Sequence, residues 1–207
     1  MNEEEARAYI AAGDVPRETL DRLDAFVALL ADENERQNLI AASTLPLIWS
    51  RHIVDSAQLI QLAPSEGAWL DLGSGPGFPG LIVAALTNRP TILVEERARR
   101  VAFLHAAAAV LDVKVDIRQQ RVERASDLPP IAVISARAFA PLPRLFAVAA
   151  PLANKDTVWV LPKGRSAAAE LEEAAATWQG DFRIEPSVTD PEAAIIVARA
   201  VRAKGDR

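Results

Sequence analysis

The 207-residue sequence predicts an α/β fold: a seven-stranded, mostly parallel sheet that ends in an antiparallel hairpin, with an N-terminal helical extension. Three observations carry this expectation. From residue 68 onward, strand-like and helix-like stretches alternate, as in βαβ units that place helices on both faces of a parallel sheet. The last two strand-like stretches, 182–188 and 193–201, are separated only by TDPE, too short for the crossover a parallel pair needs. In residues 1–63 the apolar side chains recur at three-to-four spacing, the period of a helix.

The elements follow in order. The stretch ETLDRLDAFVALLADENERQNLI carries Leu20, Leu23, Phe26, Val27 and Leu30 on one face of an amphipathic helix. Pro46 falls near the start of a second helix, LPLIWSRHIVDSAQLIQL, where a missing N–H costs nothing. APSEG (63–67) has the chemistry of a turn and serves as a linker. It divides the chain into a helical extension, 1–65, and a sheet domain, 66–207. Strands are expected at 68–72, 91–95, 113–118, 131–135 and 156–161. Between them GLIVAALTN, RARRVAFLHAAAAVLD and LPRLFAVAAPLA read as helices, and another is expected at 166–178. There is no internal repeat and no low-complexity tract.

Composition narrows the chemistry. Half the residues are apolar and a quarter charged, ordinary for a soluble globular protein. The absence of cysteine excludes disulfides, a thiolate nucleophile and cysteine-ligated zinc, and it suits a reducing cytosol. His52 and His105 show no metal-ligand spacing, so no metal is expected. The acidic opening MNEEEARAYI is not a signal or transit peptide, and no apolar run approaches the roughly 20 residues of a membrane span. A cytoplasmic protein without a membrane partner is expected. The net charge of −5 is unevenly spread: residues 1–65 carry 5 basic and 11 acidic side chains, whereas residues 97–165 carry 12 basic and 5 acidic. A local basic face matters more to a nucleic acid than the total.

The richest stretch is WLDLGSGPGFPGLIVA, residues 69–84. Gly75, Gly77 and Gly80 fit G-x-G-x-x-G, and Glu95 lies 20 residues beyond the first of them, which resembles a dinucleotide fingerprint. A pyrophosphate, however, needs backbone N–H donors at the helix N-terminus, and Pro76 and Pro79 have none. S-adenosylmethionine (SAM) carries an ammonium, a carboxylate, a sulfonium and an adenosine, but no phosphate. Asp71 suits its cationic part, glycines let the backbone pass close to it, and Glu95, or Glu96 beside it, suits its ribose hydroxyls. About 110 residues follow Glu95 and complete the sheet, leaving no room for a dehydrogenase's second domain; the sole tyrosine, Tyr9, lies in the acidic head. Seven strands ending in a hairpin is the pattern of Rossmann-like SAM-dependent methyltransferases, so SAM is the expected cofactor.

The acceptor atom is constrained by what the chain lacks. ISARAFAPLPRL, after the fourth strand, has no Asn/Asp-Pro-Pro-aromatic motif of exocyclic-amine methylation. Cytosine-C5 chemistry needs a cysteine. Lys163 lacks recognisable partners for ribose 2′-O chemistry. A ring nitrogen such as guanine N7 has a free lone pair and no proton to lose, so placement alone suffices.

NLIAASTLPLIWSRHIVDSAQL (38–59), the glycine loop, RRVAFLHAAAAVL (99–111), QQRVE (119–123), ISARAFAPLPRL (134–145) and VLPKGR (160–165) together resemble the bacterial 16S ribosomal RNA guanine-N7 methyltransferase family, also called glucose-inhibited division protein B. The resemblance runs from about residue 20 to the C-terminus. It implies SAM-dependent methylation of guanine N7 in the decoding-region loop of 16S ribosomal RNA, free or in a small-subunit assembly intermediate. It places SAM contacts on Gly73 and Phe78, on Val122 and Glu123, and on Arg137, with Glu95 at the ribose; Gly75 and Gly77 complete the loop. Arg137 is placed to meet the methionine carboxylate or the RNA. Asn38, Arg51, His52, Asp55 and Ser56 of the head are expected to line the pocket mouth, and Lys163 and Arg165 to meet RNA phosphate. His52 and Arg137 are positioning candidates, and no residue is assigned as catalytic. The chain departs from the family pattern at Asn34, which has no aromatic neighbour, and at Ser135-Ala136-Arg137, one residue longer than usual. The competing functions are a small-molecule methyltransferase, a non-catalytic ribosome-assembly factor and, more distantly, an NAD-binding protein. A monomer is expected, since no large apolar patch is evident.

Overall fold

The structure is a computed structural model that describes residues 1–205; the last two residues of the expected 66–207 domain lie outside the described residues. Seven strands form one sheet in the order β3-β2-β1-β4-β5-β7-β6. They are β1 Ala68–Leu72, β2 Thr91–Glu95, β3 Val115–Gln119, β4 Ile131–Ser135, β5 Val158–Lys163, β6 Trp178–Pro186 and β7 Ala194–Ala203. The first five are parallel, and β7 runs antiparallel to both β5 and β6. β1 and β2 are buried along their whole length, as helices on both faces of a parallel sheet require.

The helices are α1 Glu3–Ala12, α2 Arg17–Asn34, α3 Asp55–Ala57, α4 Gly80–Thr87, α5 Ala98–Leu111, α6 Leu142–Ala149 and α7 Ala167–Ala175. Asn2 and Glu5 close a capping box on α1. Leu23, Phe26 and Leu30 of α2 are fully buried, and they share one hydrophobic cluster with Phe78, Leu81 and Ile82 of the glycine loop and α4 and with Phe103 and Leu104 of α5. Full burial of each such side chain contributes about 1.5–3 kcal/mol. The helical head is therefore fastened to one face of the sheet through the loop that the sequence singled out. On the other face Phe146 of α6 meets Trp159 of β5 edge to face, with ring centroids 5.3 Å apart.

Two expectations are corrected. The single helix expected at 45–62 is a composite: a 3-10 turn Ala42–Leu47 containing Pro46, a π-helical turn Trp49–Val54, the short α3 and a second 3-10 turn Gln58–Leu62. One cause is local, since the Ser56 hydroxyl donates to the His52 carbonyl at 2.6 Å and competes with the backbone ladder. Second, the helix expected at 166–178 ends at Ala175, and β6 begins at Trp178 rather than 182. The strand continues through a register shift between Gln179 and Asp181, where a Cβ on Gly180 would lie 2.7 Å from the Arg199 carbonyl oxygen. A glycine bulge thus extends the strand where its pattern is interrupted.

β1 neighbours both β2 and β4, so the chain winds outward from it in both directions. A crevice at the carboxyl ends of the strands follows from that reversal. The loop after β1, Glu95 at the end of β2, residues 120–123 after β3 and residues 136–140 after β4 converge there.

Candidate functional site

Two cavities open at this end of the sheet and meet along a common wall. The first, of about 380 Å³, is lined by Gly73, Val94, Glu95, Gln120, Val122, Glu123, Phe139 and the arginines 97, 100, 121 and 144, among others. The second is a hollow of about 1000 Å³, lined by Leu39, Ile40, Arg51, Asp55, Gly75, Phe78, Arg137, Lys163 and neighbouring residues. Gly73, Arg100, Ala138, Phe139 and Ala140 belong to both.

The glycine loop is held from below. Gly73 and Ser74 donate their N–H groups to the Val94 carbonyl at 2.8 and 3.1 Å, and Gly77 donates to Ser74 at 2.7 Å. Gly75 donates to Glu95 Oε2 at 3.0 Å and Gly80 to Asp71 Oδ2 at 3.2 Å. With these five donors spent inside the protein and two prolines without one, the loop has no cradle for a pyrophosphate. Gly73 has φ +66°, and a Cβ there would stand 2.6 Å from Phe139 Cδ2; the missing side chain is what lets Phe139 close over the loop. Gly77, at φ +97°, would drive a Cβ to 2.3 Å from Leu81 Cδ1.

Glu95 is buried yet lines the first cavity. Its two oxygens accept the N–H groups of Gly75 and of Arg97, the latter at 2.9 Å, and Arg100 stands 3.7 Å away. Each carboxylate oxygen keeps a further lone pair for ligand hydroxyls. Buried Val122 supplies an apolar wall, and exposed Glu123 stands at the rim.

Asp71 differs from its expected role. It lines neither cavity and is fully buried, with Oδ1 accepting the Ser135 hydroxyl at 2.7 Å and Oδ2 the Gly80 amide. Ser135 in turn accepts the Trp69 indole N–H at 2.7 Å. Burial pushes the Asp71 carboxyl up to about 6, against the hydrogen bonds from Ser135, Ser74 and Gly80. Asp71 and Gly77 therefore shape the loop from outside the cavities.

The expected head residues split as well. Arg51 and Asp55 line the hollow, whereas Asn38, His52 and Ser56 do not. Asn38 is exposed; the neighbouring structural role belongs to buried Asn34, whose Oδ1 accepts the N–H groups of Leu39 and Ile40 at 2.7 and 2.8 Å. His52 is buried against Phe78, with stacked rings 5.0 Å apart. Thr44 spends its hydroxyl proton on the Ala41 carbonyl at 2.8 Å, so its oxygen accepts from His52 Nε2 at 2.9 Å, and His52 Nδ1 is left without a partner. Burial, helped by Arg137 and Arg51, pushes this imidazole down to about 3, so it is neutral at pH 7.

Phe78 carries a second neighbour, the Arg137 guanidinium, 5.0 Å from its ring centroid. Arg137 also donates to the Arg51 carbonyl at 3.3 Å. Burial lowers its pKa, and Asp55 and Asp71 oppose that shift. Asp55 Oδ1 accepts from Thr189 and from Gln58 Nε2, and burial raises its pKa. The cations expected to meet phosphate are both paired, Lys163 with Glu170 at 2.7 Å and exposed Arg165 with Glu192, and Arg51 of the expected pocket mouth pairs with Asp190 at 2.8 Å. Arg165 lies outside both cavities. Among the described residues no group of acidic or histidine side chains could hold a metal ion.

Phe139, Arg100, Gln120 and Arg144 line the first cavity without having been singled out as site residues. The only signal for Phe139 was its place in the Arg-Ala-Phe-Ala stretch.

Solved structures share this architecture. A mutant of MtNAS in complex with S-adenosylmethionine superposes with a TM-score of 0.62 at 13% identity, covering 97% of this chain and 84% of that one. A glycopeptide N-methyltransferase complexed with the same cofactor gives 0.58 at 12% identity, covering 72% and 93%. The sheet order, the proline-bearing loop without phosphate donors and the carboxylate ending β2 define the class: a Rossmann-like, SAM-dependent methyltransferase. The family model for rRNA small subunit methyltransferase G matches residues 19–195. Proteins named ribosomal RNA small subunit methyltransferase G from Rhizorhabdus wittichii and Zymomonas mobilis are 53% and 49% identical, each over 99% of this chain and 96% of the relative. The chain belongs to the rRNA small subunit methyltransferase G family.

Proposed function

We propose that this chain methylates N7 of a guanine in the decoding-region loop of 16S ribosomal RNA, by direct in-line transfer without a general base. The observation that carries this reading is the pairing of a cofactor-sized cavity with an open hollow whose buried and half-buried bases are engaged. Asp55 is held by Thr189 and Gln58, Lys163 and Glu170 hold each other, and neutral His52 is stacked beneath Phe78 outside the hollow. Glu173 stands exposed on α7 at the rim. Such a site suits a nucleophile that arrives with its lone pair free.

The residues present fit SAM. A cavity of about 380 Å³ lies within the usual range for small-molecule sites. In this reading Gly73 forms the floor, Gly75 and Phe78 face the adjoining hollow, Glu95 holds the ribose, Val122 flanks the adenine and Glu123 closes the rim. Arg137 meets the methionine carboxylate or the RNA. SAM, when bound, supplies a methyl group activated by the sulfonium. The protein's part is to bind, to orient the base against Phe78 and Arg137, and to exclude water.

RNA phosphate is assigned to different cations from those first expected. Arg97 and Arg144 line the first cavity and, among the described residues, have no carboxylate within 4 Å. Arg51, Lys163 and Arg165 would first have to release an acid. The basic stretch 97–165 favours RNA over a small-molecule acceptor. No helix of the described residues is long and apolar enough to cross a membrane, and a cytoplasmic monomer acting on the small subunit or its precursor is the reading we adopt.

The test is methyl transfer from labelled SAM to total RNA from a strain lacking the gene, followed by identification of the labelled nucleoside. Label in 7-methylguanosine of small-subunit RNA is the expected result. Label in another nucleoside discards the N7 assignment. No transfer, with no SAM binding by calorimetry, leaves a non-catalytic assembly factor.

A further inference from the structure

The N-terminal helix reaches the turn that carries Arg51 through one carboxylate. Glu3, in the first turn of α1, accepts the backbone N–H of Trp49 at 2.8 Å on one oxygen. On the other it accepts the N–H and the hydroxyl of Ser50, at 2.9 and 2.6 Å. These two amides open the π-helical turn Trp49–Val54, which continues directly from the 3-10 turn Ala42–Leu47. A carboxylate there holds both amides with charge-assisted bonds. α1 is seated by more than this contact. Ala6 and Ile10 are buried in the cluster that holds Trp49 and Ile53, and the Arg7 guanidinium lies 5.6 Å from the Trp49 ring centroid. All of α1 precedes the family-matched residues 19–195.

The capped turn carries the hollow's wall. Arg51 and Asp55 line it, and the Arg51 carbonyl accepts from Arg137. Its far end is clipped to the β6–β7 turn: Arg51 pairs with Asp190, Asp55 accepts from Thr189, and Gln58 accepts the Val188 N–H at 2.9 Å. π turns are rare and persist where their surroundings hold them. Glu3 is the polar clamp at one end and the β6–β7 turn is the clamp at the other.

We infer that Glu3 is a positioning residue for the RNA hollow, capping the 49–54 turn from a distant helix and so fixing where Arg51 and Asp55 stand. This rests on the hollow being the RNA site. The test compares full-length wild type with Glu3→Ala and with Glu3→Gln, which keeps one acceptor oxygen and loses the charge. Three quantities are measured: hydrogen exchange at residues 49–55, SAM affinity by calorimetry, and KM and kcat for small-subunit RNA. Glu3→Ala should accelerate exchange at Trp49 and Ser50 and through Asp55. It should raise KM for RNA about tenfold, with kcat and SAM affinity within about twofold. Glu3→Gln should fall between, and it carries the test if Glu3→Ala does not fold. A role in folding alone would lower the active fraction and leave KM unmoved. Faster exchange with unchanged KM overturns the inference, as does unchanged exchange. If wild type itself fails to methylate RNA, the functional reading fails instead; the exchange arm then decides whether Glu3 holds the wall of the hollow.

Discussion

His52 shows what a single residue reveals in sequence and what it hides. Its place beside Arg51 and Asp55 marked it as a site candidate. That it would be neutral and stacked depends on Phe78, Thr44 and Arg137, and a spacing pattern carries none of those contacts. The ion pair between Arg51 and Asp190 is equally invisible, because 139 residues separate its partners. The low imidazole pKa has a measurable consequence. The unfolded chain protonates His52 near its ordinary value of 6.5, whereas the folded chain resists protonation down to about 3. Stability is therefore intact above pH 6.5 and lost as pH falls from there toward 3. Compared with His52→Gln, wild type should lose about 2 kcal/mol between pH 7 and 5, read from denaturant unfolding at each pH. Equal slopes for the two proteins would show that His52 titrates normally. Asp71 acts with the opposite sign: its contribution is full below the ordinary carboxyl value near 3.8 and fades as pH rises through about 6.

Elements were legible where the periodic signal was long or the burial symmetric. β1 and β2 read directly as apolar runs, and α2 and α5 as helices, because each meets one packed surface along its length. The composite at 42–62 was not legible, since Glu3 and Ser56 meet its turns through hydrogen bonds that leave no mark in the hydrophobic pattern. β6 was read short because its first residues pair through a glycine bulge. The glycine loop was legible as a loop, and the structure adds the reason for its last glycine. A Cβ on Gly80 would stand 2.3 Å from Leu93 Cδ2 and 2.9 Å from Asp71 Cβ. Gly80→Ala should therefore push α4 off the sheet, costing about 1–3 kcal/mol as an overpacked core. The loop moves with α4, so SAM affinity should fall in the same variant. Thermal unfolding and calorimetry on one sample check both, and an unchanged midpoint would show that Leu93 yields without cost.

At the scale of the whole molecule, the acidic head and basic middle were plain from the sequence, but which cations stay unpaired was not. Folding sets acids opposite Arg51, Lys163 and Arg165 and leaves Arg97 and Arg144 at the mouth of the first cavity. Arg97→Ala and Arg144→Ala should each weaken RNA binding and flatten its salt dependence by about 0.7–0.9 in log–log slope. Arg165→Ala should do neither. Filter binding across a salt series gives all three slopes, and a flattened slope for Arg165→Ala alone would reverse the assignment. With SAM and RNA in the two cavities as proposed, the shared wall of Gly73, Phe139 and their neighbours couples the two ligands in one thermodynamic cycle. Whatever factor SAM applies to the affinity for RNA, RNA must apply to the affinity for SAM. If bound SAM holds Phe139 in the place RNA requires, SAM is gripped at full strength only while RNA is present, and the two sites communicate without any moving domain.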